Sequence, residues 1–197
     1  AYARNADNVG TSTLVSPGIP IGVGPAQLAF RHNYNMEADT GTVGYDGGVL
    51  EMKIGTGAWS DILAAGGTFV GGAYNRTIST NYGSSIGGRQ AWSEDSGGYI
   101  TTTVNLPASV SGETIQLRWV CATDDGGTPG TGWRVDSISL TGWGCCTNGS
   151  LILPVQNNRT VDELTSVVIT NTVIDTGIPA GDLVYSLLAA PTGATIS

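Results

Sequence analysis

Thr114-Ile115-Gln116-Leu117-Arg118-Trp119-Val120 decides the fold class. In an extended chain Ile115, Leu117 and Trp119 point one way and Gln116 and Arg118 the other, the period-two pattern of a half-buried strand. Trp133-Arg134-Val135-Asp136-Ser137-Ile138-Ser139-Leu140 repeats the alternation. Strand-like runs bounded by turn residues recur on both sides, at 27–34, 49–54, 98–106, 114–122 and 132–141. The best helical spacing, at 59–65, lasts about two turns. An all-β protein is expected.

Composition agrees. Thirty of the 197 residues are Gly and 12% are charged, which suits short strands and tight turns better than helices. With 40% hydrophobic residues the chain can build one ordinary core, or one domain and part of another. Net charge is −8 with Lys53 as the lone lysine, so no basic stripe exists to grip nucleic acid or an anionic membrane. No run reaches the roughly 20 apolar residues of a membrane span. Neither nucleic-acid binding nor membrane insertion is expected. The N-terminus lacks the order of a signal peptide, and both ends are expected to be cuts in a longer polypeptide.

The character of the sequence changes at Thr141-Gly142-Trp143-Gly144-Cys145-Cys146-Thr147-Asn148-Gly149-Ser150, a turn-forming stretch. Residues 1–142 are expected to form one β-sandwich module, 143–150 a Gly- and Cys-rich linker, and 151–197 an incomplete second domain. That last part holds strand-like runs at 151–154, 166–173 and 183–188, fewer than half of the roughly seven an immunoglobulin-like sandwich needs.

Several blocks carry a family likeness. Leu28-Ala29-Phe30-Arg31-His32-Asn33-Tyr34, Tyr45-Asp46-Gly47-Gly48-Val49-Leu50-Glu51, Gly57-Ala58-Trp59, Gly88-Arg89-Gln90-Ala91-Trp92-Ser93 and Gly132-Trp133-Arg134-Val135-Asp136-Ser137-Ile138 follow in order. This succession resembles the jelly-roll, MAM-like accessory modules of large secreted bacterial proteins. The resemblance covers about residues 1–142 and implies a jelly-roll sandwich, sometimes calcium-bound, with a binding or spacing role. Thr160-Val161-Asp162-Glu163, Asp182-Leu183-Val184-Tyr185-Ser186-Leu187 and Pro191-Thr192-Gly193-Ala194 resemble the start of a cadherin-like or immunoglobulin-like repeat. Asp175-Thr176-Gly177-Ile178-Pro179-Ala180-Gly181-Asp182 stands where calcium-binding members carry a dense Asp run, which argues against calcium in that repeat.

Candidate chemistry is sparse. The one histidine, His32, sits within a strand beside Arg31, and no nucleophile elbow, phosphate loop or zinc-binding His pair accompanies it. A non-enzymatic protein is expected, with Phe30 and His32 sharing a strand face. Acidic residues gather at Glu37, Asp39 and Asp46, with Gly47 and Gly48 beside them, and Asp136 in the last strand completes a candidate calcium set. Calcium takes several hard oxygen ligands from carboxylates and turn carbonyls. Asp124-Asp125-Gly126-Gly127 is a competing locus, read more simply as a turn.

Among Trp59, Trp92, Trp119, Trp133 and Trp143, alternation places Trp119 and Trp133 in packing positions. Trp92, between Gln90 and Ser93, is the expected exposed ring for a sugar face. Cys121 and the adjacent Cys145 and Cys146 form an odd set, open to a bond of Cys121 with either neighbour, a vicinal bridge, or a bond to another chain; the first is favoured. Glycosylation triplets occur at Asn75, Asn148 and Asn158. The expected role is a non-catalytic structural or adhesive module of a secreted or cell-surface protein, joined to further domains of a parent polypeptide and able to self-associate by strand addition. The alternative is a glycan-binding module that targets a secreted enzyme.

Overall fold

A computed structural model describes residues 1–127, 130–141 and Val168. The chain divides into two compact units, Ala1–Cys145 and Cys146–Ser197, and all the described strands belong to the first. The expected linker at 143–150 lies outside the described residues, as does the expected repeat at 151–197 apart from Val168.

Strands are numbered in chain order, and three sheets hold them. The first runs β1 (Tyr2–Ala3), β14 (Gly132–Thr141), β4 (Gln27–Met36), β12 (Ile100–Asn105), β8 (Thr68–Gly71), with β11 (Glu94–Asp95) also on β4. The second runs β2 (Gly10–Val15), β13 (Thr114–Thr123), β6 (Gly47–Ile54), β7 (Ser60–Asp61), with β3 (Ile19–Pro20) on β13. A small third sheet joins β10 (Gln90–Ala91), β9 (Arg76–Ile78) and β5 (Val43–Gly44).

Taking β1, β2, β4, β6, β7, β12, β13 and β14 as first to eighth, the first sheet reads first, eighth, third, sixth. The second reads second, seventh, fourth, fifth. Two four-stranded sheets interleaved in this way form a jelly-roll sandwich, with β8 as an addition to the first sheet. No helix among the described residues is long and apolar enough to cross a membrane.

The alternation read from the sequence sets the core. Leu28, Phe30, His32, Tyr34 and Met36 of β4 are all buried, and Ile115, Leu117, Trp119 and Cys121 of β13 belong to the same core as Leu28, Phe30, Tyr34 and Met36. The outer face of the second sheet is covered as well. Val49, Val120 and Ala122 pack under Ile78, Ile86 and Ala91, which the third sheet and its loops supply. Strands of two or three residues carry no readable alternation, so this second layer was not expected from sequence.

Residues 59–65, the best helical spacing in the sequence, form no helix, in line with the all-β expectation. After β7 the chain makes one tight turn in which Ala65 N donates to Asp61 O at 2.8 Å and Gly67 N to Ile62 O at 2.8 Å. Gly66, at φ +93°, ends it in a conformation that helix propagation does not allow.

Gly48 is a point of close approach between the first and second sheets. A Cβ there would lie 2.7 Å from the Trp133 ring, which must hold its place against Trp92 and His32. Gly48→Ala is therefore expected to destabilise the module by about 1–3 kcal/mol, the usual cost of an extra methyl in a filled core, measured by urea denaturation.

Candidate functional site

His32 lies in the middle of the core with no exposed surface. Trp133 Nε1, which can only donate, reaches His32 Nδ1 at 3.1 Å. Nδ1 is therefore the acceptor, and the ring proton sits on Nε2, which donates to Thr102 Oγ1 at 2.8 Å. The Thr102 hydroxyl passes on to Gly72 O at 2.7 Å, which also receives Trp92 Nε1 at 2.8 Å. Burial lowers the His32 pKa to about 4. Phe30, Tyr34, Trp92 and Trp133 pack around the ring. A base without a solvent path, with both nitrogens engaged, is a structural joint between β4, β12 and β14.

The other polar concentration lies where β4, the β5–β6 turn and the end of β13 meet. Glu37, Asp46 and Asp124 each bring a carboxylate oxygen there, and these oxygens all lie within 4.8 Å of one another. Asp46 is 1% exposed and Asp124 4%. The local backbone is responsible for the convergence. Glu37 O accepts from Tyr45 N at 3.0 Å, which folds the β5–β6 turn back onto the end of β4. Asp46 Oδ1 accepts from Asp124 N at 2.7 Å, which pins the loop after β13 to the same place. Gly127, at φ +98°, leaves room for the Glu37 carboxylate where any Cβ would overlap it.

Among the described residues no cation pairs with these carboxylates. Among the described residues Arg76 pairs with Asp39 and Glu94, Arg89 with Glu51 and Asp61, and Arg118 with Glu51. None of these pairs includes Glu37, Asp46 or Asp124. Burial raises the Asp46 pKa to about 6, opposed by the Asp124 amide and the nearby Asn5 side chain and reinforced by the negative charges of Asp124 and Glu37. Burial also raises Asp124, helped by Glu37 and Asp125. Hard carboxylate oxygens, crowded and desolvated, with glycine-rich backbone beside them, fit a calcium-like ion and no softer metal.

The expected calcium residues are thus divided. Glu37 and Asp46 meet, and Asp124 from the competing locus joins them. Asp39 is turned to other work: its Oδ1 accepts from Gly41 N at 2.9 Å and Val43 N at 3.0 Å, forming a turn, and Arg76 lies 3.7 Å away. Asp136 is exposed at a register shift of β14, where its Oδ1 accepts from Ser137 N at 2.7 Å. It stands opposite Arg31 on the strand pair, away from the cluster. Asp124 was legible only as a turn residue, because the partner that gives it another meaning is 78 positions away.

Trp92 is not the exposed ring expected from its polar neighbours. It is fully buried and packs against Phe30, Phe69, Tyr74 and Trp133. Ser93 is buried too and donates to Asp46 O at 2.6 Å, so the polar flank that suggested exposure is internal. Cys121 is a free, buried thiol, 3.9 Å from Met36 Sδ, and burial pushes it up to about 12. The expected bond from Cys121 is not made, because its side chain faces the core; Cys145 and Cys146 lie outside the described residues. Asn75 clamps Ser93, donating from Nδ2 to Ser93 O and accepting from Ser93 N, both at 2.9 Å. Asn148, Asn158 and Trp143 lie outside the described residues.

No protein-family model matches the chain, and no curated protein matches it in sequence.

The His32 geometry has a direct spectroscopic consequence. With one histidine in the chain, its imidazole NMR signals need no assignment by mutation. They are expected to report the neutral Nε2–H tautomer and to stay flat through pH 6.5, titrating only near the lowered value of about 4. The unfolded chain binds this proton from about pH 6.5 downward and the folded one does not. This group's contribution is therefore complete above pH 6.5 and falls away toward pH 4, by about 3 kcal/mol in all. A signal titrating near 6.5 in the folded protein would contradict the sealed network.

Proposed function

We propose that residues 1–142 are a non-catalytic, calcium-stabilised jelly-roll module of an extracellular or cell-surface protein, with a structural or adhesive role. The observation that carries the reading is the convergence of Glu37, Asp46 and Asp124 within 4.8 Å, none of them in an ion pair among the described residues. Burying like charges costs several kcal/mol unless a cation neutralises them, and a divalent ion does so from one point. Oxygen-only sites of this kind work where calcium is abundant, and extracellular modules bind it at roughly 10⁻⁴–10⁻³ M.

The non-catalytic part rests on His32, whose two ring nitrogens are engaged inside the core. The glycan-targeting alternative loses its support with the burial of Trp92. A module of this type contributes rigidity and spacing: the ion joins segments that the strand ladders leave separate, so the end of the sandwich carrying these loops stiffens when calcium is present.

Thermal unfolding tests the reading. At a hundredfold excess over its dissociation constant calcium is expected to add about 2.7 kcal/mol, or roughly 10 °C in Tm, relative to protein in chelator. Asp46→Asn is expected to remove most of that increment while leaving the chelated protein as stable or more stable at neutral pH. The sign follows from Asp46: its raised pKa of about 6 means the ionised form is disfavoured without a cation, so a neutral amide relieves that cost. A Tm indifferent to calcium and chelator would sink the proposal.

A further inference from the structure

We infer that the cleft between β1 and β2 receives an extended peptide segment of a partner protein, which pairs with the free edge of β2 and sets one apolar side chain between the two sheets. This surface does not depend on the calcium site, and it gives the adhesive role a place to act.

Among the described strands β2 is the one long open edge. It ends the second sheet and pairs with β13 through six consecutive residues without a register shift. The strands that end the sheets elsewhere have two residues, or, in β8, four residues set on β12 through a register shift. Long edges are usually protected by charge, proline or a bulge, and Gly10-Thr11-Ser12-Thr13-Leu14-Val15 has none of these. Beyond the ladder with β13, no backbone hydrogen bond reaches residues 10–15 among the described residues. Unpaired N–H and C=O groups in a row are what an added strand binds.

Beside this edge lies a cavity of about 210 Å³. Ser12, Thr13 and Leu14 of β2 form one rim and β1 the other, with the buried Trp119, Trp133 and Val135 at its base. An apolar cavity of roughly 150 Å³ is already large enough to stay dry and take up a benzene ring. Side chains alternate along a strand, so a segment paired with β2 directs every second one toward this space. One Phe, Leu or Ile fits there, whereas a charged group would lose its water without gaining a partner.

Charge narrows the partner further. Thr123 pairs with Gly10, and the loop after it carries Asp125. Gly126 N donates to Asp7 O at 3.3 Å, which brings Asp7 to the same loop. Asp7 and Asp125 are exposed, and among the described residues neither is in an ion pair. The chain carries a net charge of −8, so the complementary segment is uncharged along its length with Lys or Arg at the end that reaches Gly10. A second copy of this acidic chain meets that requirement less well.

The probe is a fluorescein-labelled, threonine-rich peptide with one central Phe and a Lys at each end, titrated onto the full chain and followed by anisotropy. Affinity is expected to fall at least tenfold when the peptide's Phe is changed to Ser, and at least threefold when its Lys residues are changed to Glu. Ser12→Lys, at an exposed position on the rim, is expected to weaken binding at least tenfold with Tm unchanged, while Thr68→Lys on the β8 edge leaves it intact. Saturating peptide is expected to slow amide hydrogen exchange at least tenfold within residues 10–15 and not in β8. Equal binding by wild type and Ser12→Lys, protection of another edge, or no binding up to about 1 mM peptide would overturn the inference. A wild type that dimerises and loses the dimer in Ser12→Lys would give the edge to a second copy and overturn the peptide partner. Each of these results leaves the calcium reading standing.

Discussion

Like charges pressed together out of water are the constraint around which one end of this module is organised. Glu37, Asp46 and Asp124 come within 4.8 Å of one another not by local sequence but because the jelly-roll order sets the end of β4, the β5–β6 turn and the loop after β13 side by side. Backbone bonds lock the arrangement: Tyr45 and Asp46 amides on Glu37 O, the Asp124 amide on Asp46 Oδ1, the Ser93 hydroxyl on Asp46 O. These bonds hold the backbone of all three segments together and fix the Asp46 carboxylate through its Oδ1.

Elsewhere the module shows how it treats buried polar groups that need no ligand. His32 is held by donors and acceptors on both nitrogens, ending at a carbonyl that Trp92 also serves. Glu51 is buried yet sits between Arg89 and Arg118, which hold it below the usual carboxylate range against the opposing effect of burial. Asn75 spends its whole amide on Ser93. Beside these satisfied groups, the acidic cluster differs in that no ion pair among the described residues includes Glu37, Asp46 or Asp124.

The second sheet explains why sequence signals of exposure were misleading. It is covered on both faces, by the first sheet on one side and by Ile78, Ile86 and Ala91 on the other. Trp92, just past β10, lies instead in the main core, and beside it Ser93 is buried and bonded internally while Gln90 faces out. The same double covering buries β6 almost throughout, including Glu51.

Much of the fold was already written in local order. Alternation at 114–122 and 132–141 needed only the two-residue period of extended chain, and it located two of the three ten-residue strands together with the inward set Ile115, Leu117 and Trp119. The lone histidine on a strand face beside Phe30, and the poverty of basic residues, were likewise properties of the chain itself. Tertiary structure alone decided which acidic residues meet. Asp39 and Asp136 are carboxylates like Asp124 and closer to the sequence expectation, but one caps a turn and the other stands exposed at a register shift. Proximity between Glu37, Asp46 and Asp124 arises from strand order, and no local pattern encodes a distance of that kind.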